Sequence, residues 1–302
     1  MNLFYKIIYV FSTFLFLISC RENKEKNNTK DDILSGEITV LVDESFMPII
    51  EEQMEVFESS YQKAKINLTS KPEIQAINDL IKGEGGVIIL SRELTEEENK
   101  SFVQRSISPR IFPFAYDAVV LLGSANGDST IRPQDVIDLM SGKSSTGKKL
   151  VIDNPNSSLV RYFRELGNLS KIANTYIEIK GNASEILTTV ANNDDQIGLL
   201  SFNQYLSLER SFTRKDKIRI LSVLNDTLET PKYVKPTQAS LSTGEYPLRR
   251  ELKILNYQPY LGLGMGFSAF VTGDRGQRIV LKSGLLPAKM PGREIIIRDN
   301  IN

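Results

Sequence analysis

Two short polar segments carry the residues with the clearest chemical potential. Asp43-Glu44-Ser45-Phe46 follows the apolar run Ile38 to Val42, and Asp153-Asn154-Pro155-Asn156-Ser157-Ser158 follows Leu150 to Ile152. Each reads as a strand-to-helix turn, so each aims a helix N-terminus past the carboxyl edge of a sheet. The unpaired N–H groups and partial positive charge there suit an anion, and serine hydroxyls add neutral donors. Arg161, one turn into the second helix, adds a permanent charge suited to an oxyanion. The same serines also fit as ordinary N-caps, and spacing alone favours that plainer reading.

Other candidates are weaker. Ser141 to Lys149 (SGKSSTGKK) approaches a phosphate-binding P-loop, but Lys149 stands where a metal-binding hydroxyl is needed. A helix precedes this stretch and a strand follows, the reverse of the P-loop order, so a glycine-rich turn is expected. Ser145-x-x-Lys148 within it lacks a following helix to present the serine as a nucleophile. Asn192-Asn193-Asp194-Asp195 has oxygen ligands for a metal, but its composition fits a solvated helix end better. Gly83-Glu84-Gly85-Gly86 is a turn signal. The chain has no histidine and one cysteine, Cys20. Histidine-dependent nucleophile triads, histidine-ligated metals, disulfides and iron–sulfur clusters are thereby excluded. No catalytic residue, metal or cofactor is expected.

Cys20 closes an uncharged run, Ile7 to Ser19, preceded by Lys6. The run is short for a membrane span but has the proportions of a signal-peptide core. Leu17-Ile18-Ser19-Cys20 resembles the bacterial lipobox, whose cysteine is acylated (palmitate and related chains) and becomes the new N-terminus. Export and tethering to a lipid bilayer, facing the periplasm or cell surface, are expected. Arg21 to Asp32 has no apolar residue and reads as a solvated linker. Roughly 270 residues remain for folding, enough for two lobes. Basic and acidic residues balance at 37 each, without a basic block, so no nucleic-acid partner is expected.

The elements that position the two turns follow from apolar periodicity. Short Val/Ile runs alternate with segments of helical period: strands at Ile38 to Val42, Lys65 to Leu68, Gly86 to Leu90, Pro113 to Leu122, Leu150 to Ile152, Tyr176 to Ile179, Ile197 to Leu200 and Ile218 to Val223. Helices are expected from Ser45 to Phe57, Pro72 to Ile81, at Leu94-Thr95-Glu96-Glu97, from Pro133 to Met140, and from Ser157 to about Gly167. This alternation predicts an α/β fold with largely parallel sheets.

In order along the chain, several segments resemble the PstS-like phosphate-binding proteins, the solute-binding subunits of ABC importers. Pro113-Phe114-Ala115-Tyr116-Asp117-Ala118-Val119-Val120 resembles that family's crossing strand. Ile131 to Gly142 resembles its helix ending in Ser-Gly, and Tyr246-Pro247-Leu248-Arg249-Arg250-Glu251-Leu252 its return strand. Gly266 to Phe270, Gly276 to Val280 and Gly284 to Ala288 resemble its C-terminal helical region.

The resemblance implies a two-lobed periplasmic-binding-protein (type II) architecture with two hinge strands: a signal peptide over 1–20, a linker over 21–35, lobe I over 36–115 plus 245–302, and lobe II over 116–244. It also implies an oxyanion, phosphate first, held between the lobes by Asp43, Ser45, Phe46, Ser91, Arg92, Ser157, Ser158 and Arg161, and delivered to the membrane subunits of an ABC importer. It turns the two serine turns from plain caps into ligand loops. The family's Ser-Gly-Thr is here Ser157-Ser158-Leu159, and Asp153 stands in the region of its usual arginine, with Arg161 as the substitute. Asp43 is the expected acceptor of a hydrogen bond from protonated phosphate. A sensor or surface lipoprotein of the same fold is the alternative, and a carboxylate-based hydrolase using Asp43 and Glu44 a weaker one.

Overall fold

The computed structural model describes residues 31–144 and 147–292. Cys20, its signal-like run, the polar tract up to Lys30 and Ser145 lie outside the described residues. The first half of the chain runs β1 (Gly36–Asp43), a 3-10 turn (Glu44–Phe46), α1 (Met47–Ser60), β2 (Ala64–Lys71), α2 (Glu73–Lys82), β3 (Val87–Leu90), α3 (Glu96–Gln104) and β4 (Arg110–Ser124). There follow β5 (Thr130–Ile131), α4 (Pro133–Met140), β6 (Lys149–Ile152), α5 (Ser158–Leu166), β7 (Ile177–Ile179), α6 (Ala183–Asn192), β8 (Gln196–Ser201) and α7 (Phe202–Glu209). The chain ends with β9 (Ile218–Ile220), β10 (Ser222–Asn225), β11 (Lys232–Val234), α8 (Gln238–Ser242), β12 (Arg249–Asn256), α9 (Leu263–Thr272), α10 (Asp274–Ser283) and β13 (Leu286–Pro287).

The strand order β2-β1-β3-β12-β4-β8-β6-β7 places two long strands at the centre. On one flank β1 pairs in parallel with β2 and β3; on the other, β6 pairs in parallel with β7 and β8. The central strands are antiparallel to their neighbours. β4 is long enough to serve both flanks: its residues Arg110 to Ala118 pair with β12, and Val119 to Leu122 pair with β8. The mixed α/β, two-lobed binding-protein fold expected from the sequence is what the chain adopts.

Continuous apolar strands are explained by burial on both faces. In β1, Val40 and Val42 join the core under α1 and α9, while Leu41 faces α2 and α3 on the other side. β3 divides in the same way, Val87 and Ile89 against Ile88 and Leu90. Aromatic edge-to-face contacts of Phe57 with Phe267 and Phe270 tie α1 to α9.

Two local readings change. The run Ile218 to Val223 is two strands, because the chain breaks at Leu221, whose N–H bonds Leu121. β9 pairs with β4, while β10 leaves for a small sheet with β5 and β11. The polar tract also stops acting as a linker by Asp31. Its carboxylate accepts from Tyr260 Oη at 2.5 Å, from Gln258 Nε2 at 3.3 Å and from the Leu263 N–H.

Gly266 in α9 sits against the Ile33 carbonyl, where an added Cβ would come within 1.7 Å of that oxygen. Backbone cannot yield as a flexible side chain can. Gly266→Ala is therefore expected to destabilise the fold by about 1–3 kcal/mol, read as a lowered urea midpoint at unchanged slope.

Candidate functional site

The first turn is built by Asp43 rather than by Ser45. Asp43 Oδ1 accepts from the Ser45 N–H at 3.0 Å and from the Ser45 hydroxyl at 2.9 Å, so Asp43 caps the 3-10 turn. The helix proper, α1, starts at Met47 with no side-chain cap and Pro48 in its first turn, where a missing N–H costs nothing. Ser45 is thus relieved of capping, and its hydroxyl lies 3.3 Å from that of Ser158. At the second turn the roles are divided. Ser157 is the N-cap of α5, accepting the Val160 N–H, while Ser158 beside it points its hydroxyl at Ser45 and Arg250.

Arg250, which spacing did not single out, supplies the cation here. It occupies β12 directly opposite Asp117 on β4. Its Nη2 donates to Asp117 Oδ2 at 2.6 Å and its Nη1 to Ser158 Oγ at 3.0 Å. The guanidinium lies over the Phe46 ring, 4.7 Å from the centroid, so Phe46 acts as an apolar floor for the charge. Asp117 accepts in addition the Asn203 N–H, and Ser201 donates its hydroxyl to the Ser45 carbonyl. Asp43, Asp117, Arg250, Ser45 and Ser158 are all buried, yet Asp43 Oδ2 and Arg250 Nε have no hydrogen-bond partner.

Ser91, Arg92 and Arg161 gather one step away, around a residue that spacing also missed. Glu73, in the first turn of α2, is fully buried. Its carboxylate accepts Arg92 Nε at 2.8 Å, Arg161 Nε at 2.7 Å and Arg161 Nη2 at 3.0 Å. Arg161 also donates to the Ser91 hydroxyl and to Glu165, and Arg92 forks onto Glu98. Both guanidinium groups are therefore committed to carboxylates. The structure brings Asp43, Ser45, Phe46 and Ser158 around Arg250; it places Ser157 in a helix cap and Ser91, Arg92 and Arg161 in the Glu73 network.

Charge in this region is uneven. Burial pushes the Asp43 carboxyl up, against the pull of Arg250. Burial, with the carboxylates of Asp153 and Asp43 nearby, raises Glu44 to about 7. Asp153 is raised by burial as well. By contrast, the hydrogen bonds from Arg92 hold Glu98 down at about 2. No cluster of three or more metal-ligating side chains occurs among the described residues.

Comparison with known proteins agrees with the resemblance read from the sequence. A family model described as the PBP superfamily domain matches residues 27–275. The phosphate-binding protein PstS of Borreliella burgdorferi is 26% identical over 299 residues, covering 94% of this chain and 98% of that protein. The phosphate-binding protein PstS of Staphylococcus saprophyticus is 22% identical over 244 residues, 76% of this chain and 74% of that protein. A putative phosphate ABC transporter substrate-binding protein from Clostridium perfringens, solved with bound phosphate, superposes with a TM-score of 0.68 at 19% identity, covering 84% of this chain and all of that one (100%). An ABC-type phosphate transport receptor from Vibrio cholerae gives 0.64 at 18% identity, with 82% and 99% covered. At these identities the superpositions establish the fold.

The raised Glu44 carboxyl makes stability depend on pH. A carboxyl held at about 7 in the fold and near 4.5 when unfolded binds more protons in the native state between those values. Its contribution is present below the unfolded value and is lost as pH rises through the folded one. Glu44→Gln is expected to flatten the fall in denaturant midpoint between about pH 4.5 and 7, measured by urea titrations at half-unit steps.

Proposed function

The chain belongs to the PBP superfamily, and from its PstS-like architecture we propose that it captures phosphate and delivers it to an ABC importer. The observation that carries this reading is the meeting of the Ser45 and Ser158 hydroxyls, from two different strand-to-helix turns, with Ser158 also held by the buried Arg250. Hydroxyls and a guanidinium are the donors an oxyanion needs in place of water. In this reading Ser45 and Ser158, which touch each other at 3.3 Å, turn their hydroxyl protons onto the anion. Asp43 Oδ2 accepts a hydrogen bond from protonated phosphate; fully ionised sulfate has no proton to offer and leaves two acceptors face to face.

The lobes in this proposal are 36–115 with 245–302, and 116–244, joined through β4 and β12. Ligand then closes the clamp by hinge bending. Arg161, on α5 in the second lobe, reaches Glu73 on α2 in the first, so closure is reinforced by an ion pair that forms only when the lobes meet. Ser91 and Arg92 position that pair, and Ser157 fixes the helix that carries Ser158. The reading is of capture and hand-over, with no bond made or broken. No helix among the described residues is long and apolar enough to cross a membrane. Attachment is assigned to acylation of Cys20, which keeps the clamp beside its membrane partner.

Calorimetry of the full chain in detergent against phosphate, sulfate, molybdate and arsenate tests the ligand. Phosphate is expected to bind, and Ser158→Ala to weaken it about tenfold, the loss of one hydrogen bond to a charged group. Asp43→Asn is expected to narrow the preference for phosphate over sulfate. No heat with any of the four anions would sink the phosphate reading. For the anchor, Cys20→Ser should abolish incorporation of labelled fatty acid and move the protein from the membrane to the soluble fraction.

A further inference from the structure

Beside the oxyanion position lies a chamber of about 370 Å³, formed by the starts of α1 and α6, by α7, and by the turn that follows β6. Glu44 and Asp153 line this chamber, and each also belongs to one of the two serine turns, Glu44 standing next to Ser45 in the chain. Its size falls among pockets for small organic molecules, roughly 300–1,000 Å³, and exceeds what a bare tetrahedral anion needs. Its polar lining is acidic and neutral, Glu44, Glu51 and Asp153 with Asn154, Asn182 and Gln204, set beside apolar Met47, Pro48 and Leu208. No lysine or arginine lines it, and none lies within ion-pair distance of Glu44, Glu51 or Asp153 among the described residues.

Two buried acceptors at this junction lack donors. Glu44 Oε1 is buried without a hydrogen-bond partner, and so is Oδ2 of the fully buried Asp43 next to it in the chain. One donor for Asp43 can come from a protonated phosphate. Glu44 needs a second, and a dianion offers it only repulsion. The Arg250 charge does not offset this, because Asp117 already neutralises it at 2.6 Å. An ammonium group brings three donors and a positive charge to such a place. Burial, with Asp153 and Asp43 beside it, raises the Glu44 carboxyl to about 7.

We propose that the preferred ligand is a phosphorus oxyanion carrying an amine, an aminoalkyl phosphonate or phosphoester, its oxyanion held by Ser45, Ser158 and Arg250 and its ammonium seated between Glu44 and Asp153. The proposal rests on the oxyanion reading above and narrows its substrate class. Ligand selection here is a matter of where donors are missing: the oxyanion end is met by donors, the chamber end by acceptors. An uncharged alkyl group in the chamber leaves Glu44 unpaired, and inorganic phosphate leaves it facing a like charge.

The full chain is titrated calorimetrically at pH 8 with 2-aminoethylphosphonate, ethylphosphonate and inorganic phosphate. The amine-bearing compound is expected to bind at least about tenfold more tightly than ethylphosphonate, the scale of a partly buried charge pair. In a Glu44→Gln/Asp153→Asn variant with unchanged circular dichroism, that ratio is expected to fall to about one. Equal binding of the two phosphonates by the natural chain overturns the proposal, whatever the variant does, and so does a preference that survives in the folded variant. Phosphate binding without amine preference leaves the oxyanion reading standing alone. Failure of all three compounds to bind overturns both.

Discussion

The Arg250–Asp117 pair is the contact on which the site depends. The two residues face each other across β12 and β4, the antiparallel strands at the centre of the sheet, and both are buried. An ion pair in such a place is costly to desolvate and returns that cost only when its remaining donors and acceptors are satisfied. Here Asp117 takes the Asn203 N–H, and Arg250 takes Ser158 and the face of Phe46, while Arg250 Nε stays without a hydrogen-bond partner. Each of these contacts orients a different element: α7, the start of α5, and the 3-10 turn that carries Ser45. One guanidinium thereby sets the relative positions of both serine turns.

That pair also explains what could be read from the sequence and what could not. The two turns were visible because a strand, a polar break and a helix start are local events with period and cap chemistry of their own. Their division of labour was not. Asp43, two residues upstream of Ser45, takes the capping role that spacing gave to Ser45, a choice that depends on the 3-10 turn between β1 and α1. Arg250 did leave a signal: Arg250, Leu252 and Ile254 occupy the inward positions of β12, so a charge stands in phase with apolar neighbours. Asp117 likewise interrupts the apolar run of β4. Their mutual pairing is a register fact, fixed by strands more than a hundred residues apart, and no single-chain pattern encodes it.

Glu73 shows the limit more sharply. On its own helix it is an acidic residue in a first turn, favourable to the helix dipole and unremarkable there. Its burial comes from Arg92 and Arg161 closing over it from the segment after β3 and from α5, which only the fold brings near. In the sequence Arg161 reads as an anion ligand because its charge suits an oxyanion, and Arg92 only through the family resemblance. Once the buried Glu73 takes two donors of Arg161 and the Nε of Arg92, the same charge serves to hold separate elements together. Charge type was readable; the partner was not.

On the proposed reading, a site that spends its cations internally recognises an anion by direction rather than by net charge. Asp117 neutralises Arg250, and Glu73 shares Arg92 and Arg161, while Asp43, Glu44 and Asp153 remain without a basic partner within ion-pair distance among the described residues. Long-range attraction therefore contributes little to capture, and affinity has to come from short contacts made in a dry cleft, where an unmet acceptor is as costly as a met donor is favourable. Such a site discriminates by the ligand's own donors. In the proposed reading, the surplus of buried acceptors, which argues against an efficient trap for fully ionised anions, favours a ligand that carries protons to the site.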